Sequence, residues 1–150
     1  MDRKALRNKP SAKVLFLCYG NACRSIMAEA LARHFLGERI EACSAGLVPL
    51  RYIPSLTLEV LNEAGIPADG LYSKGFAEVR LDDVDYLVNL TGLAVNSQIP
   101  PSFSGKLISF YVRDPFGHDI ETYRSVRKEL ESLIKRKLPE LMAAGKDGRG

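Results

Sequence analysis

Cysteine and histidine are scarce in this chain of 150 residues, and their scarcity excludes two kinds of small protein. The three cysteines, Cys18, Cys23 and Cys43, are an odd number and all lie in the first third of the sequence. Such a set argues against the disulfide framework of a secreted domain and for a reducing compartment, so we expect a cytoplasmic protein. With only two histidines, the spacing of possible ligands fits no zinc finger, and we expect no metal site.

Long apolar and long basic segments are also missing. No apolar stretch approaches the ~20 residues that a membrane helix requires, and residues 1–13, although basic, lack the apolar segment of a signal peptide. The net charge is +3, without a long Lys/Arg run interleaved with aromatic residues. We therefore predict neither a membrane nor a nucleic acid as partner, and the mild positive charge suits an anionic substrate.

The remaining composition is that of one globular α/β domain. Hydrophobic residues make up 46% of the chain and charged residues 26%, and no internal repeat is visible. We predict a flexible basic leader at residues 1–12, one domain at residues 13–143 and a disordered tail at residues 144–150.

Short strand-like runs alternate with segments of helical spacing. The strands are predicted at residues 14–18, 40–46, 86–90 and 106–112, and the helices at residues 26–35, at residues 56–64 and from about Ile120 onward. This alternation predicts a single three-layer α/β domain with a four-stranded parallel sheet and helices on both faces. Asp119 should cap the last helix, and Pro139 should end or kink it.

The most informative segment is CYGNACRS at residues 18–25, between the first strand and the first helix. The first N–H groups of a helix lack partners, and together with the loop amides they can bind an oxyanion. Gly20 can adopt a positive φ and Asn21 tolerates one. The Gly-Lys-Ser/Thr ending of a nucleotide-binding Walker loop is absent. The segment therefore predicts a phosphate-binding loop.

Three side chains of this segment predict chemistry on the bound anion. Arg24 offers a planar fork of donors that can bind two oxygens of a phosphate. Cys18, at the end of the strand, should lie below the anion, with its thiolate favoured by the loop amides and by Arg24. The hydroxyl of Ser25 should donate a hydrogen bond to this sulfur.

A second loop, which contains Asp114, Pro115 and Phe116, follows the last predicted strand. Ligands of parallel sheets bind at the carboxyl ends of the strands, so this loop should face the phosphate-binding loop. A departing alkoxide or phenolate needs a proton, and Asp114 is the candidate donor. We interpret His118 as an ordinary loop residue.

The pattern Cys18-x5-Arg24-Ser25, with Gly20 and Asn21 between, resembles the low-molecular-weight protein tyrosine phosphatases and the related thioredoxin-linked arsenate reductases. The resemblance implies a phosphomonoester hydrolase that acts through a phosphocysteine and needs no cofactor. It makes Cys18 the nucleophile, Arg24 the anion-binding group and Asp114 the general acid. The implied substrate is a phosphotyrosine protein or a small aryl phosphate, with inhibition by phosphate-like oxyanions and a monomer or weak dimer as the assembly.

The resemblance also implies supporting residues around the anion. These supporting and phosphate-binding residues are Tyr19, Gly20, Asn21, Ala22, Cys23, Ser25 and Ser44, and the substrate wall is formed by Tyr19, Tyr52 and Phe116. Ser44 should brace Asn21, although a strand-end serine that bonds to its own backbone is an equal alternative. Cys23 either forms a reversible disulfide with Cys18 or packs in the loop.

The sequence departs from the family pattern at two positions, and a second reaction stays possible. Ile26 stands where the family has proline, and Gly117 replaces a second aromatic residue, which weakens the aryl-binding part of the site.

Arsenate reduction is the alternative reaction, because arsenate mimics phosphate. No cysteine follows Cys43, and residues 89–92 stand where the reductases carry theirs, so a reductase here needs glutaredoxin or a low-molecular-weight thiol. A non-enzymatic anion-binding module is disfavoured by the presence of nucleophile, anion fork and acid together.

Overall fold

The computed structural model describes residues 12–147, so most of the predicted leader and residues 148–150 of the predicted tail lie outside the described residues. The strands are β1 (Ala12–Cys18), β2 (Ile40–Gly46), β3 (Tyr86–Asn89) and β4 (Lys106–Ser109). They form one parallel sheet in the order β2-β1-β3-β4. The predicted α/β fold with a four-stranded parallel sheet is confirmed.

Residues 12–147 contain four α-helices, where the periodicity predicted three. They are α1 (Arg24–Leu36), α2 (Ser55–Glu63), α3 (Ile120–Ser132) and α4 (Leu138–Asp147), with short 3₁₀ helices at Phe76–Glu78 and Asn96–Gln98. Within residues 12–147, no helix is both long enough and apolar enough to cross a membrane.

Side chains of β1 alternate between two apolar cores, as the pleat of a strand requires. Val14 and Phe16 pack with the helices α1 to α4 on one face. Leu15 and Leu17 pack on the other face, where Phe76 of the first 3₁₀ helix contributes to the cover. A sheet that is buried on both faces explains why the strand sequence is almost continuously apolar.

The C-terminal helical segment does not end at Pro139, although an end there was one of the two outcomes predicted for this proline. The chain passes through a π-helical turn, Leu133–Lys137, and continues as α4 to Asp147, four residues into the segment predicted to be a tail. The N–H of Leu138 donates to Leu133 O, five residues earlier. Proline lacks the N–H of a regular α-helical bond, and the wider turn before it accommodates this loss while Ile134 stays buried in the core.

At the other end, β1 already includes Ala12, which the sequence had left in the leader. The strand begins there because its parallel partner β2 extends equally far, with Ala12 opposite Ile40. Strand β4 is shorter than predicted and ends at Ser109, so the loop that carries Asp114 begins earlier than expected.

Asp119 caps α3, as predicted, and offers a test of how stability depends on pH. Its Oδ1 accepts hydrogen bonds from the N–H (3.1 Å) and the hydroxyl (2.8 Å) of Thr122. These bonds hold the pKa of Asp119 below its ordinary value. A carboxylate with a lowered pKa in the folded state stabilises the fold above its unfolded pKa of about 4, and this contribution is lost as the pH falls through the folded pKa.

We therefore expect Asp119→Ala to lower the free energy of unfolding at neutral pH, with a difference from the unsubstituted protein that shrinks in acid. Asp119→Asn, which keeps an acceptor but does not titrate, should lie between the two at neutral pH. Urea unfolding across a pH series measures both differences. An Asp119→Ala deficit that stays constant through the acid range would contradict this account.

Candidate active site

The loop between β1 and α1 turns its carbonyl groups outward. They accept hydrogen bonds from neighbouring segments: Leu47 N to Cys18 O (3.2 Å), Val48 N to Tyr19 O (2.8 Å), Leu50 N to Gly20 O (2.8 Å) and Thr57 Oγ1 to Ala22 O (3.0 Å). Within residues 12–147, the N–H groups of residues 19–23 donate to no protein acceptor. The N–H and C=O of a trans peptide point in opposite directions, so the N–H groups of residues 19–21 and of Cys23 face the inside of the loop, next to the start of α1. This arrangement suits an oxyanion.

The apex of the loop is Asn21, whose φ is +47°. Gly20, the other residue expected to tolerate a positive φ, does not adopt one. Asn21 is buried, and its side chain takes both roles of the amide: Oδ1 accepts from Lys74 N (2.8 Å) and Nδ2 donates to Ser25 Oγ (2.7 Å). These bonds fix the left-handed turn from two sides.

Cys18 lies at the floor of the loop and is 2% exposed. Its sulfur is 2.9 Å from Ser25 Oγ. Because that oxygen already accepts a hydrogen bond from Asn21 Nδ2, the serine hydrogen is free to donate to the sulfur. The contact expected between Ser25 and Cys18 is therefore present.

Arg24, the first residue of α1, is held by two carbonyl groups beyond the sheet. Its Nη1 donates to Leu90 O (3.2 Å), after β3, and to Val112 O (3.1 Å), after β4. Its Nη2 lies 3.6 Å from Asp114 Oδ2. The buried Nε has no partner among the described residues. One edge of the guanidinium is thus anchored, and the Nε–Nη2 edge remains available for an anion.

Asp114 and the phosphate-binding loop line the same cavity, of about 350 Å³. The Asp114 side chain is half exposed, and its Oδ1 accepts from the N–H of Phe116 (3.0 Å). Tyr19 and Phe116 line this cavity, as predicted, and residues 48–50 form its apolar wall. Tyr52 is 56% exposed and is not among the residues that line this cavity, so its place in the substrate wall stays a prediction. The wall comes from residues 48–50 because the N–H groups of Val48 and Leu50 donate to the carbonyls of the loop.

Ser44 does not brace Asn21, which corrects the prediction. Its hydroxyl donates to Glu29 Oε1 (2.5 Å) and accepts from Lys74 Nζ (3.2 Å). Asn21 is held instead by the backbone N–H of Lys74. Ser44 contacts α1 and Lys74 because these elements pack beside β2.

Glu29 and Lys74 form a buried charged cluster behind the loop that the sequence analysis did not predict. Lys74 Nζ lies 3.5 Å from Glu29 Oε1, and Glu29 also pairs with Arg33 one turn later in α1. Both Glu29 and Lys74 are almost fully buried. The one available signal was that Glu29 interrupts an otherwise apolar stretch of α1, which a solvent-facing glutamate rarely does.

The other two cysteines are poor thiolates. Cys23 is buried and its sulfur donates to the hydroxyl of Tyr123 (3.5 Å), and burial raises the pKa of the Cys23 thiol. Burial raises the pKa of Cys43 on β2 to about 11. All three cysteines are free thiols, and the disulfide between Cys18 and Cys23 stays a prediction.

Gly46 provides a test of the loop geometry. A β-carbon at Gly46 would lie 2.7 Å from Asn21 N and 2.8 Å from Gly20 C, both backbone atoms. We expect Gly46→Ala to weaken binding of inorganic phosphate and to lower the free energy of unfolding by about 1–3 kcal/mol, because the loop apex must move.

Gly20→Ala is the matched control, since its β-carbon would come no closer than 3.7 Å to a neighbour. Calorimetric phosphate titration and urea unfolding compare the two variants. Equal effects of both substitutions on phosphate binding would contradict the close approach at Gly46.

Comparisons with known proteins agree with this geometry. A sequence model of a family described as low molecular weight phosphotyrosine protein phosphatase matches residues 13–146. A glutaredoxin arsenate reductase of Synechocystis sp. is 32% identical over 125 residues, which cover 82% of this chain and 93% of the relative. The low molecular weight protein-tyrosine-phosphatase YfkJ of Bacillus subtilis is 32% identical over 146 residues, covering 87% and 94%.

Solved structures give the same two kinds of neighbour. An arsenate reductase in a phosphate-binding state matches with a TM-score of 0.76 and 29% identity, over 86% of this chain and 98% of that one. The YwlE arginine phosphatase of Geobacillus stearothermophilus matches with a TM-score of 0.76 and 28% identity, over 93% and 98%.

Proposed function

Since the chain belongs to the low molecular weight phosphotyrosine protein phosphatase family, we propose that it hydrolyses phosphomonoesters with Cys18 as the nucleophile. Arg24 binds the anion and Asp114 is the general acid. One observation carries the proposal: Cys18, the unpartnered loop amides, Arg24 with its partnerless Nε and Asp114 all border one cavity.

In the first step, the Cys18 thiolate attacks phosphorus in line with the leaving oxygen. The loop N–H groups and the Nε–Nη2 edge of Arg24 bind the equatorial oxygens, where charge develops. Asp114 enters this step protonated and donates its proton to the leaving oxygen as the P–O bond breaks. The P–S bond of a phosphocysteine has then formed.

In the second step, Asp114 accepts a proton from water as the water oxygen attacks phosphorus. The P–S bond breaks and Cys18 leaves as a thiolate. The hydroxyl of Ser25, at 2.9 Å from the sulfur, stabilises this leaving thiolate. The two steps need no group from outside the chain except water.

The walls of the cavity favour an aryl ester. Tyr19 and Phe116 are half exposed beside the apolar wall of residues 48–50, and such surfaces suit a flat ring. The proposed substrate is therefore a phosphotyrosine protein or a small aryl phosphate, with phosphate-like oxyanions as inhibitors. We place the reaction in the cytoplasm, where Cys18 stays reduced.

Arsenate reduction is the second candidate, favoured by the names of the 31–32% identical relatives. In this reaction Cys18 displaces hydroxide from arsenate to form a Cys18–As(V) adduct. A thiol then attacks the sulfur, so that As(V) leaves as arsenite with two electrons and a mixed disulfide remains, which a second thiol reduces. Cys43 is a poor thiol for attack on the Cys18 sulfur. In the β1–β2 register Cys18 is paired with Gly46, three residues after Cys43, and burial raises the pKa of Cys43 to about 11. The reductant must therefore be glutaredoxin or a small thiol.

Substitution of the reacting groups tests the hydrolytic mechanism. We expect Cys18→Ser to abolish hydrolysis of p-nitrophenyl phosphate, whereas the variant protein should still bind inorganic phosphate. Asp114→Asn should slow kcat for phenyl phosphate by about 10²–10⁴-fold. It should slow kcat less for p-nitrophenyl phosphate, whose leaving group needs less protonation. Substantial hydrolysis by Cys18→Ser would rule out the covalent route.

A side-by-side assay separates the two candidate reactions. We expect p-nitrophenyl phosphate hydrolysis without any thiol, and arsenite formation only when glutaredoxin or a small thiol is added. Cys43→Ser should leave both rates unchanged. Arsenite release without an added thiol, lost in Cys43→Ser, would show that the chain supplies its own reductant and would overturn this reading.

A further inference from the structure

Asn89, the last residue of β3, is 2% exposed, and its side chain is saturated with hydrogen bonds. Its Oδ1 accepts from Thr91 N (3.0 Å) and from Thr91 Oγ1 (2.7 Å). Its Nδ2 donates to Leu93 O (2.9 Å) and to Ser109 Oγ (3.4 Å). Two acceptor positions and two donors are all that an asparagine side chain offers, so every one of them is used.

The peptide that Asn89 binds is the one that anchors the active-site arginine. The N–H of Thr91 and the C=O of Leu90 belong to the same planar trans unit and point in opposite directions. Asn89 Oδ1 accepts from the N–H, and Leu90 O accepts from Arg24 Nη1 at 3.2 Å. The N–H side of this plane is held by Asn89, and on the C=O side Leu90 O accepts from Val112 N (3.3 Å) as well as from Arg24.

The position of Leu90 O matters because, among residues 12–147, the guanidinium donates to just two carbonyl groups. Both bonds, to Leu90 O and to Val112 O, come from Nη1, and they leave Nε and Nη2 as the edge for the anion. Rotation of the peptide would release one of the two anchors and let the guanidinium turn about the other. Displacements of about 1 Å in such groups can reduce a rate by 10²-fold.

We propose that Asn89 is a positioning residue for Arg24: it fixes the peptide between Leu90 and Thr91 so that Arg24 presents its Nε–Nη2 edge to the oxyanion. The inference rests on the proposed function, because it assigns Asn89 to the anion-binding half of that site. It differs from a purely structural role, in which Asn89 would affect stability but not the affinity for an anion.

Three variants separate these roles. Asn89→Leu keeps the volume and removes every hydrogen bond, and we expect it to weaken inorganic phosphate binding by at least about tenfold. Asn89→Asp keeps an acceptor for the N–H of Thr91 but loses a donor to Leu93 O, so it should lower Tm while it retains more phosphate affinity than Asn89→Leu. Ser109→Ala removes only the longest of the four bonds and should bind phosphate as the unsubstituted protein does.

Titration calorimetry with inorganic phosphate gives the affinity, and thermal unfolding gives Tm. The two readouts are compared in the unsubstituted background and in an Arg24→Lys background, where the forked edge is absent. If Asn89 acts through the arginine, Asn89→Leu has little further effect on phosphate binding in the Arg24→Lys protein. Equal losses in both backgrounds, or unchanged phosphate affinity in Asn89→Leu, would overturn the proposal.

If Asn89→Leu does not fold, Asn89→Ala takes its place, because a smaller side chain leaves room for water at the vacated bonds. Failure of the proposed function looks different from failure of this inference. An unsubstituted protein that neither binds phosphate nor hydrolyses p-nitrophenyl phosphate contradicts the function itself, whereas an active protein that tolerates Asn89→Leu contradicts the role of Asn89 alone.

Discussion

The outward hydrogen bonds of the phosphate-binding loop are the constraint on which the site depends. A buried donor without an acceptor costs about 1–3 kcal/mol, so a loop with inward N–H groups tends to collapse onto its own carbonyls. Here the carbonyls already accept from the N–H groups of Leu47, Val48 and Leu50 and from the hydroxyl of Thr57. The loop therefore stays open, and the open amides favour the anion that satisfies them.

The same constraint explains the charged cluster behind the loop. Lys74 binds Asn21 through its backbone N–H, and its side chain is anchored by Glu29 and Ser44. Buried charges are costly unless they are paired, so this cluster adds little net stability. Its consequence is geometric: a lysine with its ammonium fixed in the core cannot withdraw its N–H from the apex of the loop.

Local patterns predicted the fold and which residues meet at the cavity, because each signal lies in a short segment of consecutive residues. The strand, the CYGNACRS turn and the helix lie within one segment, and Asp114 follows a strand whose carboxyl end had to meet that turn. The partners of Ser44 and the exposed position of Tyr52 depend on which segments pack side by side, and periodicity carries no such information. The π-helical turn before Pro139 was unpredictable for the same reason, since packing of the last helix decides whether a proline ends it.

The segment after β3 bears on the choice between hydrolysis and reduction. An enzyme that reduces a Cys18 adduct with its own thiols needs a second cysteine that can approach the sulfur, and hence a segment that can move. Here the side chains of Asn89 and Thr91 form hydrogen bonds within residues 89–93, and Leu90 O accepts from Arg24. Movement of this segment would disturb Arg24, the proposed oxyanion-binding residue. The hydrogen bonds that hold Arg24 thus favour a reaction completed by water, or by a thiol that arrives from outside the chain.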